Sequence, residues 1–324
     1  MGPIFFVHIP KTAGTSFRLG AEEFFGKQPI CYDYGKSAAE TSELVRETLY
    51  AGPQADLWHF REQCLAQRLA MVGGHVSSMK FVALFGIANT LTFLREPLQR
   101  MASEYGHFVR KHAYEGSFRD FYSSPAMQNR QSRLLRGTPL SSLGLVGITE
   151  RYEESLELVN ATYGTKIPVR QDNFGKPSIE AQHEISAEDE KELLRLNKAD
   201  LVLYRAAMAL HESRLEMHRD GLPFAHAGIN QALPRQVSGW AWWAQPSRRK
   251  EPMTIDILVN EEHRGTVKTL DLRSGLCRLL PPRGGYVGFR LAGHFKPGDL
   301  VQCRVVETGQ LFPPRPRKVR RPSK

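Results

Sequence analysis

Residues 4–17 read IFFVHIPKTAGTSF, and this stretch decides the fold class. Ile4, Phe5, Phe6 and Val7 form a short apolar, β-favouring run, Pro10 stops it, and Lys11-Thr12-Ala13-Gly14-Thr15-Ser16 leads into a helix starting near Phe17. The order is strand, loop, helix. A helix N-terminus presents unpaired backbone N–H groups and a partial positive charge. Gly14 lets the backbone approach an anion closely, Lys11 adds a full charge, and Thr12, Thr15 and Ser16 add hydroxyl donors, so the loop suits a phosphate. An ordinary N-cap accounts for Thr or Ser alone, but not for Lys, Gly and three hydroxyls together. The loop also differs from the nucleoside-triphosphate pattern G-x-x-x-x-G-K-[ST], because its Lys comes before the Gly.

A second strand-to-helix joint lies at residues 90–107, TLTFLREPLQRMASEYGH. An apolar run ends in Arg95, and Pro97 opens a helix as a first-turn proline. Ser103 falls two helical turns along, so a guanidinium and a hydroxyl can converge on one phosphate. Taken alone, Arg95 also reads as an ion-pair partner of Glu96 or Glu104, the less favoured alternative. Between the two joints, residues 71–86 read MVGGHVSSMKFVALFG, with two glycines ahead of His75 that leave space around its imidazole. Histidine, with a pKa of about 6.5, suits removal of a proton from a poorly nucleophilic hydroxyl. A hydrogen-bonded structural histidine is the plainer alternative.

The pattern P-K-T-x-G-T-S behind a strand resembles the 5′-phosphosulfate loop of sulfotransferases that use 3′-phosphoadenosine 5′-phosphosulfate (PAPS). Arg95, Glu96, Pro97 and Leu98, followed by Arg100 and Ser103, resemble the 3′-phosphate motif of the same enzymes. His75-Val76-Ser77 is similar to the Gly-His-Val-Ser context of the heparan sulfate 2-O-sulfotransferases and their bacterial relatives, where the histidine is the catalytic base. The resemblance implies that Lys11, Thr12, Ala13, Gly14, Thr15, Ser16, Arg95 and Ser103 bind the donor, and that His75 and Lys11 are catalytic. His8 and His107 are the next candidates for the base.

The likeness covers roughly residues 3–218, strongly at these three motifs and loosely between them. GLVGITERYEESLELV at 144–159 resembles the strand and helix that follow the donor site. NRQSRLLRG at 129–137 resembles a segment that lines the cleft in bacterial members, with no atom-level role assigned to Asn129 or Gln131. DNFGKPS at 172–178, with Lys176, resembles the loop that closes over the donor's adenine and reads equally as a Gly-Pro surface loop. The implied activity is metal-independent transfer of a sulfuryl group from PAPS to a carbohydrate hydroxyl. The alternatives are a P-loop small-molecule kinase, which needs Mg²⁺ and a carboxylate at a strand end, and a non-catalytic glycan-binding protein.

Alternating strands and helices to about residue 150, with the anion loop behind the first strand, predict a P-loop-like, doubly wound parallel sheet. Mainly helices follow, one starting at Ser186 and one over about Lys198 to Met217. Residues 219–236 read as a linker. From Val237 the pattern turns to short alternating strands at 237–243, 253–260, 264–270, 286–292 and 300–306, which predict an appended β-sandwich over 237–312. Trp240, Trp242 and Trp243 read as core packing, with stacking on sugar rings as the alternative.

A chain of 324 residues with 41% hydrophobic content can bury one large core and a second smaller one. No run of eighteen apolar residues occurs and the first strand begins almost at Met1, which predicts a cytoplasmic protein without signal peptide or anchor. Cys31, Cys64, Cys277 and Cys303 show no C-x-x-C spacing and read as reduced, mostly packed thiols. Of the net charge of +10, six units lie in RPRKVRRPSK at 315–324. Residues 313–324 therefore read as a disordered basic tail, suited to acidic glycans or an anionic membrane surface or merely solubilising. Nucleic acid is not expected as a partner. The remaining excess suits a domain that binds a multiply charged nucleotide.

Overall fold

The computed structural model describes residues 2–170 and 185–321. The chain divides into two compact units, the first made of 2–85, 89–140 and 145–211, the second of 86–88, 141–144 and the residues from 212 onward.

Among the described residues the first unit carries a five-stranded parallel sheet: β1 Ile4–Val7, β2 Ile30–Asp33, β3 Met71–Gly74, β4 Thr90–Leu94 and β5 Leu145–Ile148. The spatial order is β2-β3-β1-β4-β5. Every residue of these strands is buried, as expected for a parallel sheet covered by helices on its faces. The helical segments that connect and follow the strands are α1 Gly14–Phe25, a short α2 Glu43–Val45, α3 Leu57–Ala66, α4 Ser78–Phe85, α5 Pro97–His112, α6 Phe118–Ser123, α7 Arg130–Leu134, α8 Tyr152–Tyr163, α9 Ala187–Leu196 and α10 Lys198–Arg219. The chain leaves β1 for the edge at β2, returns to β3, then crosses β1 to reach β4 and β5. Its winding direction therefore reverses at β1. The crevice beyond the carboxyl ends of β3, β1 and β4 is where such a sheet binds ligands.

Aromatic packing fixes the first strand–helix joint. Phe6 on β1 meets Phe17 on α1 edge-on at 4.7 Å, and Phe17 meets Phe93 on β4 at 5.3 Å. All three rings are buried, so α1 cannot rotate without opening this cluster. Burial of such side chains stabilises by about 1.5–3 kcal/mol each.

The expected strands and helices of residues 4–17, 90–107 and 144–159 are present, with Pro97 in the first turn of α5. The helix behind the first loop begins earlier than expected, at Gly14 rather than near Phe17. Ser186 caps α9 by accepting from the Asp189 N–H.

The second unit holds two antiparallel sheets built from β6 Ala225–Leu233, β7 Gln236–Trp243, β8 Thr254–Val259, β9 Glu262–Lys268, β10 Gly288–Ala292, β11 Leu300–Val305 and β12 Leu311–Lys318. The orders are β10-β7-β6 and β12-β11-β8-β9. Residues from both sheets, among them Ala227, Trp243, Ile255, Ile257, Phe289, Val301 and Cys303, share one apolar core. Trp240 and Trp242 stack on each other at 4.6 Å, and Arg248 covers Trp243 at 4.1 Å. All three indoles are buried and have no open face for a sugar.

Two expectations fail here. The stretch 219–236 holds β6, which pairs with β7 from Ala225↔Trp243 to Leu233↔Gln236, so it is not a linker; the division between units falls at 211/212, inside α10, not at 218. The tail from residue 313 is not disordered through Lys318, because β12 pairs with β11 at Val301↔Arg317 and Leu300↔Lys318. Three prolines hid that strand, yet it lies at a sheet edge, where a missing N–H is tolerated. Among the described residues all four cysteines are free, with Cys31, Cys64 and Cys303 buried. No helix among them is long and apolar enough to cross a membrane.

Candidate functional site

The loop behind β1 has an unusual backbone. Lys11 and Ala13 both adopt left-handed φ, 68° and 62°, although neither is glycine. Each such residue costs about 1–2 kcal/mol, and strain of this kind is retained where the surrounding fold enforces it, often at binding sites. A left-handed residue followed by right-handed ones turns successive N–H groups toward one point, and Ala13 directly precedes α1. The loop thus has a backbone suited to an anion, with a helix N-terminus behind it.

Its side chains divide differently from the sequence reading. Thr12 is fully buried and donates its hydroxyl hydrogen to the Ile9 carbonyl at 2.9 Å, leaving no donor for an anion. Ser16 is buried as well, whereas Thr15 is exposed. Gly14 also serves a different purpose. A Cβ there would lie 2.0 Å from Cδ2 and 2.1 Å from Nε2 of His8, so its missing side chain makes room for that imidazole. The glycine ahead of His75 is likewise structural, since a Cβ at Gly74 would lie 1.9 Å from the Asp33 carbonyl oxygen of β2.

The three motifs meet at the carboxyl ends of the three inner strands. Lys11 follows β1, His75 follows β3 and Arg95 follows β4, and these strands are neighbours. Lys11 is held below its ordinary pKa, first by burial, then by the Arg110 and Arg95 guanidiniums, with Glu104 opposing. Lys11 and Arg95 are thus electrostatic neighbours despite being far apart in sequence. His107 is also lowered, by burial and then by Lys11, His112 and Arg110. His107 and Arg110 of α5 are electrostatic neighbours of Lys11, and Ser103 shares their stripe of the helix by spacing. Arg110 and His107 are site residues that the sequence reading missed or ranked low. Only the folded helix reveals them.

The N-terminus of α5 is itself satisfied and offers no anion site. Glu96 accepts from the Gln99 N–H at 2.8 Å, and the Glu96 N–H donates to Glu150 at 2.9 Å. Any phosphate near Arg95 must therefore be held by side chains.

His75 is an exposed residue whose ring packs against those of His8 and Tyr34. Water reaches the ring and favours its ordinary value, whereas the groups packed around it act the other way. Burial first, and then the Arg130 guanidinium, push its pKa down to about 4 against the pull of Glu104 and Glu40. His75 is therefore neutral at pH 7. Glu104 is buried on α5 and accepts from both Arg100 and Arg130, so its carboxylate is fully engaged.

Asn129 and Gln131 gain atom-level roles. The buried Gln131 amide donates to the Arg95 carbonyl at 2.9 Å and accepts from the Arg95 N–H at 3.0 Å, pinning that residue's backbone at both groups. Asp200 accepts from the Gln131 and Ser132 N–H groups at 3.1 and 2.7 Å, and Asn129 accepts from the Ala199 and Asp200 N–H groups, tying α7 to the start of α10. Replacing Gln131 by Leu should remove two hydrogen bonds of about 1 kcal/mol each and loosen Arg95. The expected outcome is a melting temperature lowered by several degrees, read by calorimetry. Lys176 and the segment 172–178 lie outside the described residues.

Comparison with protein-family models, with curated proteins and with solved structures finds no match to this chain.

Proposed function

We propose that the chain is a PAPS-dependent sulfotransferase acting on a carbohydrate hydroxyl. The observation that carries the reading is the convergence of Lys11, His75 and Arg95 at the carboxyl ends of three adjacent strands, with Arg110 and Arg130 beside them. The parallel sheet, with the Lys11 loop at the carboxyl end of its middle strand, supports the reading. Crowded cations that disfavour one another's charge are a site prepared for a polyanion, because an incoming phosphate relieves their repulsion.

Neutral His75 accepts the proton of the acceptor hydroxyl as that oxygen attacks sulfur. The bond from sulfur to the bridging phosphate oxygen breaks, and Lys11 with the loop N–H groups stabilises the charge that grows on the departing oxygen. Arg95 and Ser103 hold the donor at its 3′-phosphate. Glu104 keeps Arg130 in place, and Asp33, the carboxylate at the end of β2, is taken up by Lys80 and Tyr50, which supports this reading over a Mg²⁺-dependent kinase.

Thermal stabilisation separates these readings. The protein should melt several degrees higher with saturating 3′,5′-adenosine bisphosphate, with EDTA present or absent, and respond little to ATP with Mg²⁺. Stabilisation by ATP and Mg²⁺ alone would favour the kinase.

A further inference from the structure

His8 takes no part in the mechanism above, yet its ring is fixed from several directions. It is buried at the exit of β1, stacked on Phe6 at 5.3 Å, and seated in the space that Gly14 leaves open. Its Nδ1 lies 2.9 Å from the Tyr34 hydroxyl, just beyond β2. Its ring meets His75 nearly at right angles, with centroids 4.4 Å apart and planes at 73°. Tyr34 meets the same His75 ring at 4.8 Å and 87°. His8, Tyr34 and His75 thus form a triangle of rings, in which His8 and Tyr34 lie 5.7 Å apart and are themselves tied by a hydrogen bond.

We infer that His8 is a positioning residue for His75, locked by Tyr34, and that the pair holds the general base in the orientation needed for proton abstraction. The inference rests on His75 being the base of the proposed reaction. An exposed ring can swing about its side-chain torsions, and small misplacements of a catalytic group are costly in rate. Two aromatic walls remove that freedom. Their charge state matters equally, since a proton on His8 at this distance would oppose the proton that His75 must accept. Burial keeps His8 neutral, with His75, Arg18 and Lys11 acting in the same direction, and burial also keeps the Tyr34 phenol protonated. The other charged groups that bear on His75 are Arg130 from α7, Glu104 from α5 and Glu40 from the segment before α2.

Two variants test this in the full chain. Tyr34→Phe keeps the wall against His75 and removes the hydroxyl, while His8→Asn keeps an amide at the Nδ1 position and removes the wall. Histidine ring NMR, with the His75 signals assigned through His75→Gln, reads the effect without any need for turnover. The expected result for His8→Asn is a His75 titration moved up toward the ordinary value. For Tyr34→Phe the expected result is a changed His8 tautomer mixture. Both should lose about tenfold in kcat with donor Kd within twofold. An unchanged His75 titration and unchanged kcat in both variants, whatever happens to melting temperature, would overturn the inference. If the wild-type protein transfers no sulfuryl group, the functional reading fails while the NMR titrations still decide whether His8 and Tyr34 govern His75.

Discussion

Replacing His75 by Ala should lower turnover by about 10²- to 10⁴-fold while donor affinity hardly moves, since a positioned general base contributes that much and the phosphate contacts lie elsewhere. The loop at Lys11 and the Arg95 contacts do not depend on the imidazole, so the loss should fall on kcat. A merely structural His75 predicts the opposite pair: a lowered melting temperature with near-normal turnover in the folded fraction. Measuring melting temperature, bisphosphate affinity and sulfate transfer on one preparation distinguishes them.

The pH profile carries the same assignment and differs from the sequence expectation. An unperturbed histidine predicts a decline of transfer below about pH 6.5. In the structure the neutral form of His75 persists down to about pH 4, so the acid limb of kcat/KM should lie well below 6.5. Donor phosphates beside the ring favour its protonated form, so the limb in kcat should lie at higher pH than the limb in kcat/KM. Stability follows the same sign. Folding depresses the pKa of His75 and of His8, so both take up protons on unfolding. Stability is therefore intact above about pH 6.5 and is lost as pH falls toward 4.

The second large effect is expected at the donor contacts. Lys11→Ala and Arg95→Ala should each weaken binding of 3′,5′-adenosine bisphosphate by about 1.5 to 3 kcal/mol, roughly tenfold to a hundredfold, because each removes a charge-assisted contact with a phosphate. The double variant should lose less than the sum. Lys11 and Arg95 repel each other, and removing either one relieves the other. Calorimetry checks this, and unchanged affinity in both single variants would remove the donor-site assignment.

The parallel sheet was legible from the runs that stop at Pro10 and Arg95 and from the strand and helix at 144–159, for which local pattern suffices, whereas β2 and β3 were not singled out. Motif order also located Lys11, His75 and Arg95, since His75 and Arg95 directly follow strands and Lys11 lies in the loop behind β1. What stayed hidden depends on contacts between residues far apart in sequence. Gly14 looked like an anion contact until His8 was seen to occupy its missing side chain. The Thr12 hydroxyl looked free until Ile9 claimed it. Gln131 gained a role only through Arg95, 36 residues earlier, and the low pKa of His75 comes from enclosure and from Arg130. In the second unit β12 was hidden because prolines and basic residues mask an edge strand.

The central claim is tested most directly by incubating the wild-type protein with PAPS labelled in its sulfuryl group, over a panel of acidic and neutral glycans, with EDTA present. The account predicts label in at least one glycan, stoichiometric release of 3′,5′-adenosine bisphosphate, and loss of both in His75→Ala. A protein that binds the bisphosphate yet labels no glycan, or that instead moves the γ-phosphate of ATP in the presence of Mg²⁺, would contradict it.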